Sequence, residues 1–164
     1  MQIVDAKASH LDAIRAITTD VIATTTAIYD DDPPTCEEAE AWWRAKQEGG
    51  LPVLVAIEGE RVLGFASYGP YNSKSGYRFT VEHSLHVDAA QRGRGVGHRL
   101  LEAIEARARK EGKRTLVGLI DADNAASRHL HESCGFTLGG TLPDLGYKFE
   151  RWLSVCYYYK RLGD

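Results

Sequence analysis

The sequence predicts one α+β domain spanning residues 1–164, a mixed sheet flanked by helices, on three observations. Segments of alternating apolar residues and segments with apolar residues at helical spacing follow one another along the chain. A glycine-rich turn joins one strand directly to an amphipathic helix. The 164 residues suffice for one hydrophobic core and leave little room for two.

Met1 to Asp5 reads as a short strand. Ser9 is placed to cap a helix in which Leu11, Ile14, Ile17 and Val21 share a face. Asp30-Asp31-Asp32-Pro33-Pro34 breaks the chain, and Thr35 with Glu38 forms a capping box that opens a second helix through Trp42 and Trp43 to Gly49-Gly50. Pro52–Ile57 and Arg61–Tyr68 are two strands of a hairpin turning at Glu58-Gly59-Glu60. Gly69 to Gly76 reads as a surface loop.

From Arg78 to Val87 the residues alternate. Phe79, Val81, His83, Leu85 and Val87 make an apolar side, and Arg78, Thr80, Glu82, Ser84 and His86 a polar one. After the glycine turn, Val96, Leu100, Leu101, Ile104 and Ala108 stripe a helix that runs to Gly112, with Glu105 and Arg109 as an i,i+4 pair on its wet side. Thr115–Ile120 is a strand, Asn124–Cys134 a helix stopped at Gly135, and Phe136–Gly140 with Trp152–Lys160 a terminal hairpin.

Composition narrows the function. The chain is 43% hydrophobic and 26% charged, with no apolar run long enough to span a bilayer, so no membrane partner is expected. Its net charge of −3 argues against a nucleic-acid binder. Cys36, Cys134 and Cys156 are odd in number and lack CxxC spacing, so neither a disulfide framework nor a metal site is expected. No basic start with an apolar stretch opens the chain, which points to the cytoplasm.

The turn Arg92-Gly93-Arg94-Gly95-Val96-Gly97 carries the chemistry. Its glycines permit positive φ and close approach of a ligand, and its amides plus the following helix N-terminus suit a pyrophosphate. Arg92 and Arg94 add positive charge. A structural strand-to-helix turn is the plainer reading. Other phosphate motifs fit less well: no GxxxxGK run exists, and His98 stands where GxGxxG needs its last glycine.

These residues resemble the (Gln/Arg)-x-x-Gly-x-(Gly/Ala) signature of the GCN5-related N-acetyltransferase (GNAT) superfamily. Asn124-Ala125-Ala126-Ser127 and Leu130-His131-Glu132-Ser133-Cys134-Gly135-Phe136 are similar to its second motif, Asn-x-x-(Ala/Ser)…Leu-Tyr-Glu-x-x-Gly-Phe. The resemblance implies a central twisted mixed sheet flanked by helices, acetyl-CoA as cosubstrate, and a homodimer. It also implies that the amides of Arg92, Gly93, Arg94, Gly95, Val96, Gly97 and His98 bind the pyrophosphate, and that Leu85, His86 and Val87 pair with the pantetheine arm. Asn124 and Ser133 would contact the cosubstrate, although Asn124 by itself is equally a helix N-cap.

Acetylation needs a neutral amine, whereas a typical ammonium has a pKa of about 10, so a base near the acyl group is required. Glu82, in the middle of the polar side, is the candidate; the alternative is a structural ion pair. His131 stands where many relatives place a tyrosine. Either it is the acid that meets the departing thiolate or it is a packed residue and solvent serves.

Tyr77–Ser84 and Gly146–Leu153 resemble the phosphinothricin and methionine sulfoximine/sulfone acetyltransferases, which implies a small amino-acid-like amine as partner. Arg78 would then hold the substrate carboxylate, with Tyr77 and Thr80 beside it. No histidine follows His131, a departure from the herbicide-resistance members that favours the methionine sulfoximine/sulfone-like subgroup. Trp152 is either a core aromatic or a wall of the pocket or dimer interface. Acetylation of protein N-termini or polyamines, or a non-catalytic acyl-CoA-binding module, are the alternatives.

Overall fold

The computed structural model describes residues 1–163 and holds eleven main elements. In chain order they are β1 (Gln2–Asp5), α1 (Leu11–Thr24), α2 (Cys36–Glu48), β2 (Val53–Glu58), β3 (Arg61–Pro70), β4 (Thr80–Val87), α3 (Val96–Lys110), β5 (Thr115–Asp121), α4 (Ala125–Ser133), β6 (Thr137–Lys148) and β7 (Arg151–Arg161). The strands form one sheet in the order β1-β2-β3-β4-β5-β7-β6. Every pairing is antiparallel except β4 with β5, so the sheet is mixed, as expected.

The sheet is covered on both faces because its central strands are apolar on both. Along β2, Val53 and Val55 join Ile14, Ile17, Val21, Val62 and Phe65 in a core under α1 and α2. Leu54 and Ala56 point the other way, into a core with the α3 stripe Val96, Leu100, Leu101, Ile104 and Ala108. Leu101 and Ile104 are fully buried there, so truncating Leu101 to Ala costs about 2–5 kcal/mol.

Local signals set several boundaries. The Thr35–Glu38 capping box forms as predicted, with the Thr35 hydroxyl accepting from the Glu38 amide and the Glu38 carboxylate accepting from the Thr35 amide. Ser9 does not cap α1. Residues Ala8–His10 make a 3-10 turn, His10 is the cap residue, and the Lys7 amide donates to His10 Nδ1 instead. The strand expected from Arg78 begins only at Thr80, because Ser75–Tyr77 is a second 3-10 turn capped by Arg78.

The terminal hairpin is longer than the sequence suggested. Its strands extend to Lys148 and Arg151 and turn at Phe149 and Glu150, both in the left-handed region at φ 50° and 59°. Glycines and a proline dilute the β signal over residues 139–146, and register shifts at Leu138/Gly140 and Leu142/Gly146 absorb them.

Candidate active site

The parallel pair β4–β5 is joined at only three positions, Thr80↔Thr115, Val81↔Leu116 and Glu82↔Val117. Beyond them the facing edges, Ser84–His86 and Gly118–Asp121, line a cavity of about 390 Å³ with Tyr29 and His131. A cleft of about 660 Å³ continues from Leu85, His86 and Val87 to the glycine turn and to Asn124 and Ser127 at the start of α4. A third cavity, about 550 Å³, opens under α1 and α2 between Arg15, Trp42, Phe65 and Ser84. His86 lines all three, so they meet beside it.

The glycine turn is built to leave its amides outward. Asp88 Oδ1 accepts from the Ala90 amide and Asp88 Oδ2 from Arg61, which fixes the entry. Gly93 and Gly95 then take φ 74° and 76°, a conformation that costs a side-chain-bearing residue roughly 1–2 kcal/mol. A Cβ at Gly95 would meet no atom within 4 Å, so its glycine serves conformation and leaves open space for a ligand. The first amide bonded within α3 is that of Arg99, to Gly95 O at 3.2 Å, and the amides of Val96, Gly97 and His98 remain for an anion at the helix N-terminus.

The two arginines of the turn part company. Arg92 lines the cleft. Arg94 donates to the buried Gln91 side chain and to Glu58 instead, and so braces the turn from behind. His98 lines the cleft and also approaches Glu102 at 3.3 Å. Asn124 lines the cleft and caps α4, its carbonyl accepting from the Ser127 amide at 3.0 Å. Ser133 lies apart, donating to Leu130 O in a separate depression with Glu102 and Glu105.

Glu82 is half-buried in the β4–β5 cavity and, among the described residues, has no hydrogen-bond or ion-pair partner. Burial raises its carboxyl above the usual glutamate range. His86 is pulled down to about 4, first by burial and then by Arg92. His131 is buried, and neither of its ring nitrogens is free: Nδ1 meets Ser127 O at 2.7 Å and Nε2 meets His83 Nε2 at 2.9 Å.

Tyr77, Arg78 and Thr80 are not brought to Glu82's cavity. Tyr77 is exposed, its ring tilted against that of Tyr71, and Arg78 donates to Ser75 O and lies 4.5 Å over the Phe79 ring. Thr80 sits at the closed end of the β4–β5 pair. The arginine that lines the cavity under α1 and α2 is Arg15, whose Nε is buried without a partner.

Three buried polar residues were given no role by the sequence reading. His83 was placed on the apolar side of β4, and a histidine in an otherwise aliphatic row is the signal that marks it. Asp121 at the end of β5 is 4% exposed and keeps one carboxylate oxygen unpartnered in the β4–β5 cavity. Lys148 is 2% exposed and donates to three carbonyls, Ile22 at 2.7 Å, Thr25 at 2.9 Å and Ile28 at 2.7 Å. It holds the end of α1 and the loop that roofs all three cavities. Among the described residues no group of three metal-ligating side chains forms.

Residues 14–136 match the Acetyltransferase (GNAT) family. The chain belongs to this family. It is an N-acetyltransferase with acetyl-CoA as cosubstrate, and the free amides and open space at the turn fit that group. The GNAT chain is 42% identical over 154 residues to the L-methionine sulfoximine/L-methionine sulfone acetyltransferase of Pseudomonas paraeruginosa, covering 93% of this chain and 90% of that one. It is 38% identical over 146 residues to the phosphinothricin N-acetyltransferase of Alcaligenes faecalis, covering 88% and 74%. The Salmonella typhimurium protein yncA, solved with its cofactor acetyl-CoA, superposes with a TM-score of 0.97 at 39% identity, covering 100% of this chain and 95% of that one.

Proposed function

We propose that this enzyme transfers the acetyl group of acetyl-CoA to the α-amine of a small amino acid such as methionine sulfoximine, methionine sulfone or phosphinothricin. The observation that carries the reading is Glu82, a carboxylate without a side-chain partner in the β4–β5 cavity. Relatives named for those substrates support the choice of amine.

Bound acetyl-CoA supplies a thioester-activated acetyl group. The amides of Val96, Gly97 and His98 with Arg92 hold its pyrophosphate, Leu85, His86 and Val87 offer the strand edge to its arm, and Asn124 flanks the arm from α4. As the amine nitrogen bonds to the acyl carbon, the sulfur departs with the C–S electron pair and one amine proton must be removed. Glu82, raised by burial, takes that proton more readily than a surface glutamate does. Arg15 anchors the acid group of the substrate, since it lines the cavity under α1 and α2 and Arg78 does not.

A polyamine is the second reading, favoured by Asp30, Asp32 and Glu38 on the wall of the same cavity. Coenzyme A thiol release with a panel of amines separates the two. Methionine sulfone and sulfoximine are expected to exceed spermidine as acceptors; acetyl-CoA binding without thiol release from any amine defeats the proposal and leaves a non-catalytic acyl-CoA module.

The homodimer belongs to the same proposal. Its support is an apolar patch on the outermost hairpin, where Leu142, Leu145, Tyr147, Phe149 and Trp152 are all exposed, Trp152 to 64%. Trp152 is thus no core aromatic. Trp152→Glu is expected to halve the mass seen by sedimentation. A cytoplasmic location agrees with three unpaired thiols, Cys36, Cys134 and Cys156.

A further inference from the structure

The geometry points to a single proton shared between His83 and His131, so that the two buried imidazoles together form a monocation at the wall of the acyl cavity. Its catalytic consequence rests on the acetyl-transfer reading above. The charge itself follows from a count of protons.

His83 Nδ1 lies 2.8 Å from Val117 O, and His131 Nδ1 lies 2.7 Å from Ser127 O. A carbonyl oxygen only accepts, so both Nδ1 atoms carry hydrogen. The two Nε2 atoms face each other at 2.9 Å, a hydrogen-bond distance that requires one hydrogen between them. Three protons on four ring nitrogens give the pair a charge of one. With two protons, either two lone pairs oppose each other across that gap or one Nδ1 turns a lone pair on its carbonyl.

The surroundings are shaped for the pair. The ring centroids are 5.1 Å apart with the ring planes 29° from parallel, and Phe136 packs against both. A Cβ at Gly118 would stand 2.7 Å from His83 Cε1 and 3.3 Å from His131 Nε2, so only glycine leaves room for the rings. The charged and titratable groups around them are Glu82 and His86 from β4, Asp121 from β5, and Tyr158 from β7, itself bonded to Arg128 and Glu132 of α4.

Burial, and after it the charge of His131, push His83 down to about 3, and burial lowers His131 as well, so a second added proton is disfavoured. Burial opposes the first one too. Opposed to burial stand the repulsion of two lone pairs at 2.9 Å and an N–H···N bond that is stronger in a dry interior than in water. The pair's charge acts on the negative charge that acyl transfer builds beside it, and no proton has to leave the pair. His83 is a positioning residue in this scheme, and His131 is half of a cation in place of a lone acid.

The test reads the protons directly. In ligand-free protein labelled with 15N in its histidines, NMR at pH 7 is expected to show both Nδ1 atoms protonated and both Nε2 shifts between the protonated and bare values. Two neutral rings with one bare Nδ1 overturn the inference. His83→Gln offers His131 an amide donor without the charge. Its kcat is expected to fall roughly 10²-fold with the KM for acetyl-CoA unchanged, and an unchanged kcat also overturns it. Should that variant not fold, Gly118→Ala in the same spectrum serves, with loss of the intermediate Nε2 shifts expected and their persistence contradictory. If no amine is acetylated, the acetyl-transfer reading falls, while the spectrum alone decides the shared proton.

Discussion

Glu82 and Lys148 are two charged side chains of one sheet with opposite fates. Lys148 is sealed from solvent and gives all three of its N–H donors to carbonyls of the α1 end and the loop after it. Glu82 is half-buried and receives nothing from the protein. A buried charge that is fully paired holds a fold together, whereas one left unpaired in a cavity is held in reserve for a ligand. The same division runs through the glycine turn, where the amides of Val96 to His98 face the cleft unpaired while Arg94 is spent on Gln91 and Glu58.

The largest effect expected from this contrast lies at Glu82. Glu82→Gln removes the base and keeps the shape, so kcat/KM should fall by about 10²–10⁴, with acetyl-CoA affinity unchanged by calorimetry. A loss smaller than tenfold would mean that the unpaired carboxylate is not the base. Lys148→Met should do the reverse. Three carbonyls, that of Ile22 buried and those of Thr25 and Ile28 partly so, lose their donor, and urea unfolding should show a loss of about 3 kcal/mol, followed by weaker acetyl-CoA binding as the loop at residues 25–28 loosens. A midpoint within experimental error of the parent would break the comparison on the structural side.

Smaller effects sharpen it. Gly95→Val strains a residue at φ 76° without filling any occupied space. It should weaken acetyl-CoA binding by about 2 kcal/mol, roughly 30-fold, while the secondary structure by circular dichroism stays intact. His86 gives the smallest change at neutral pH. Its folded pKa is depressed to about 4, so the stability tied to its neutral form is complete above pH 6.5 and is lost as pH falls toward 4. His86→Gln should flatten that acid limb in thermal melts recorded from pH 7 to 4, and an unaltered slope would assign the limb to other groups.

How much of this was legible depended on the distance between partners. The glycine turn, the Thr35–Glu38 box and the Asn124 cap are local, their partners lying within a few residues, and they were read directly from the sequence. Glu82 was legible because a polar residue recurred on every second position of a strand. Lys148 pairs with carbonyls 120 to 126 residues away, and His83 meets His131 across 48 residues, so no periodicity announces either contact. The position of Arg78 was hidden for a related reason. Alternation continued through it into the strand, but Gly76 and the 3-10 turn at Ser75–Tyr77 redirect the chain before Thr80, and Arg15, on a helix far off in sequence, reaches the cavity instead.

The central claim is that Glu82 receives the amine proton, and the pH dependence of kcat/KM with methionine sulfone, measured on the parent and on Glu82→Gln together, tests it most directly. The parent should lose activity as pH falls through an ionisation above the ordinary glutamate range, the direction in which burial moves Glu82, and that limb should be missing from the variant. An identical limb in both proteins would assign the ionisation to the amine itself and contradict the account.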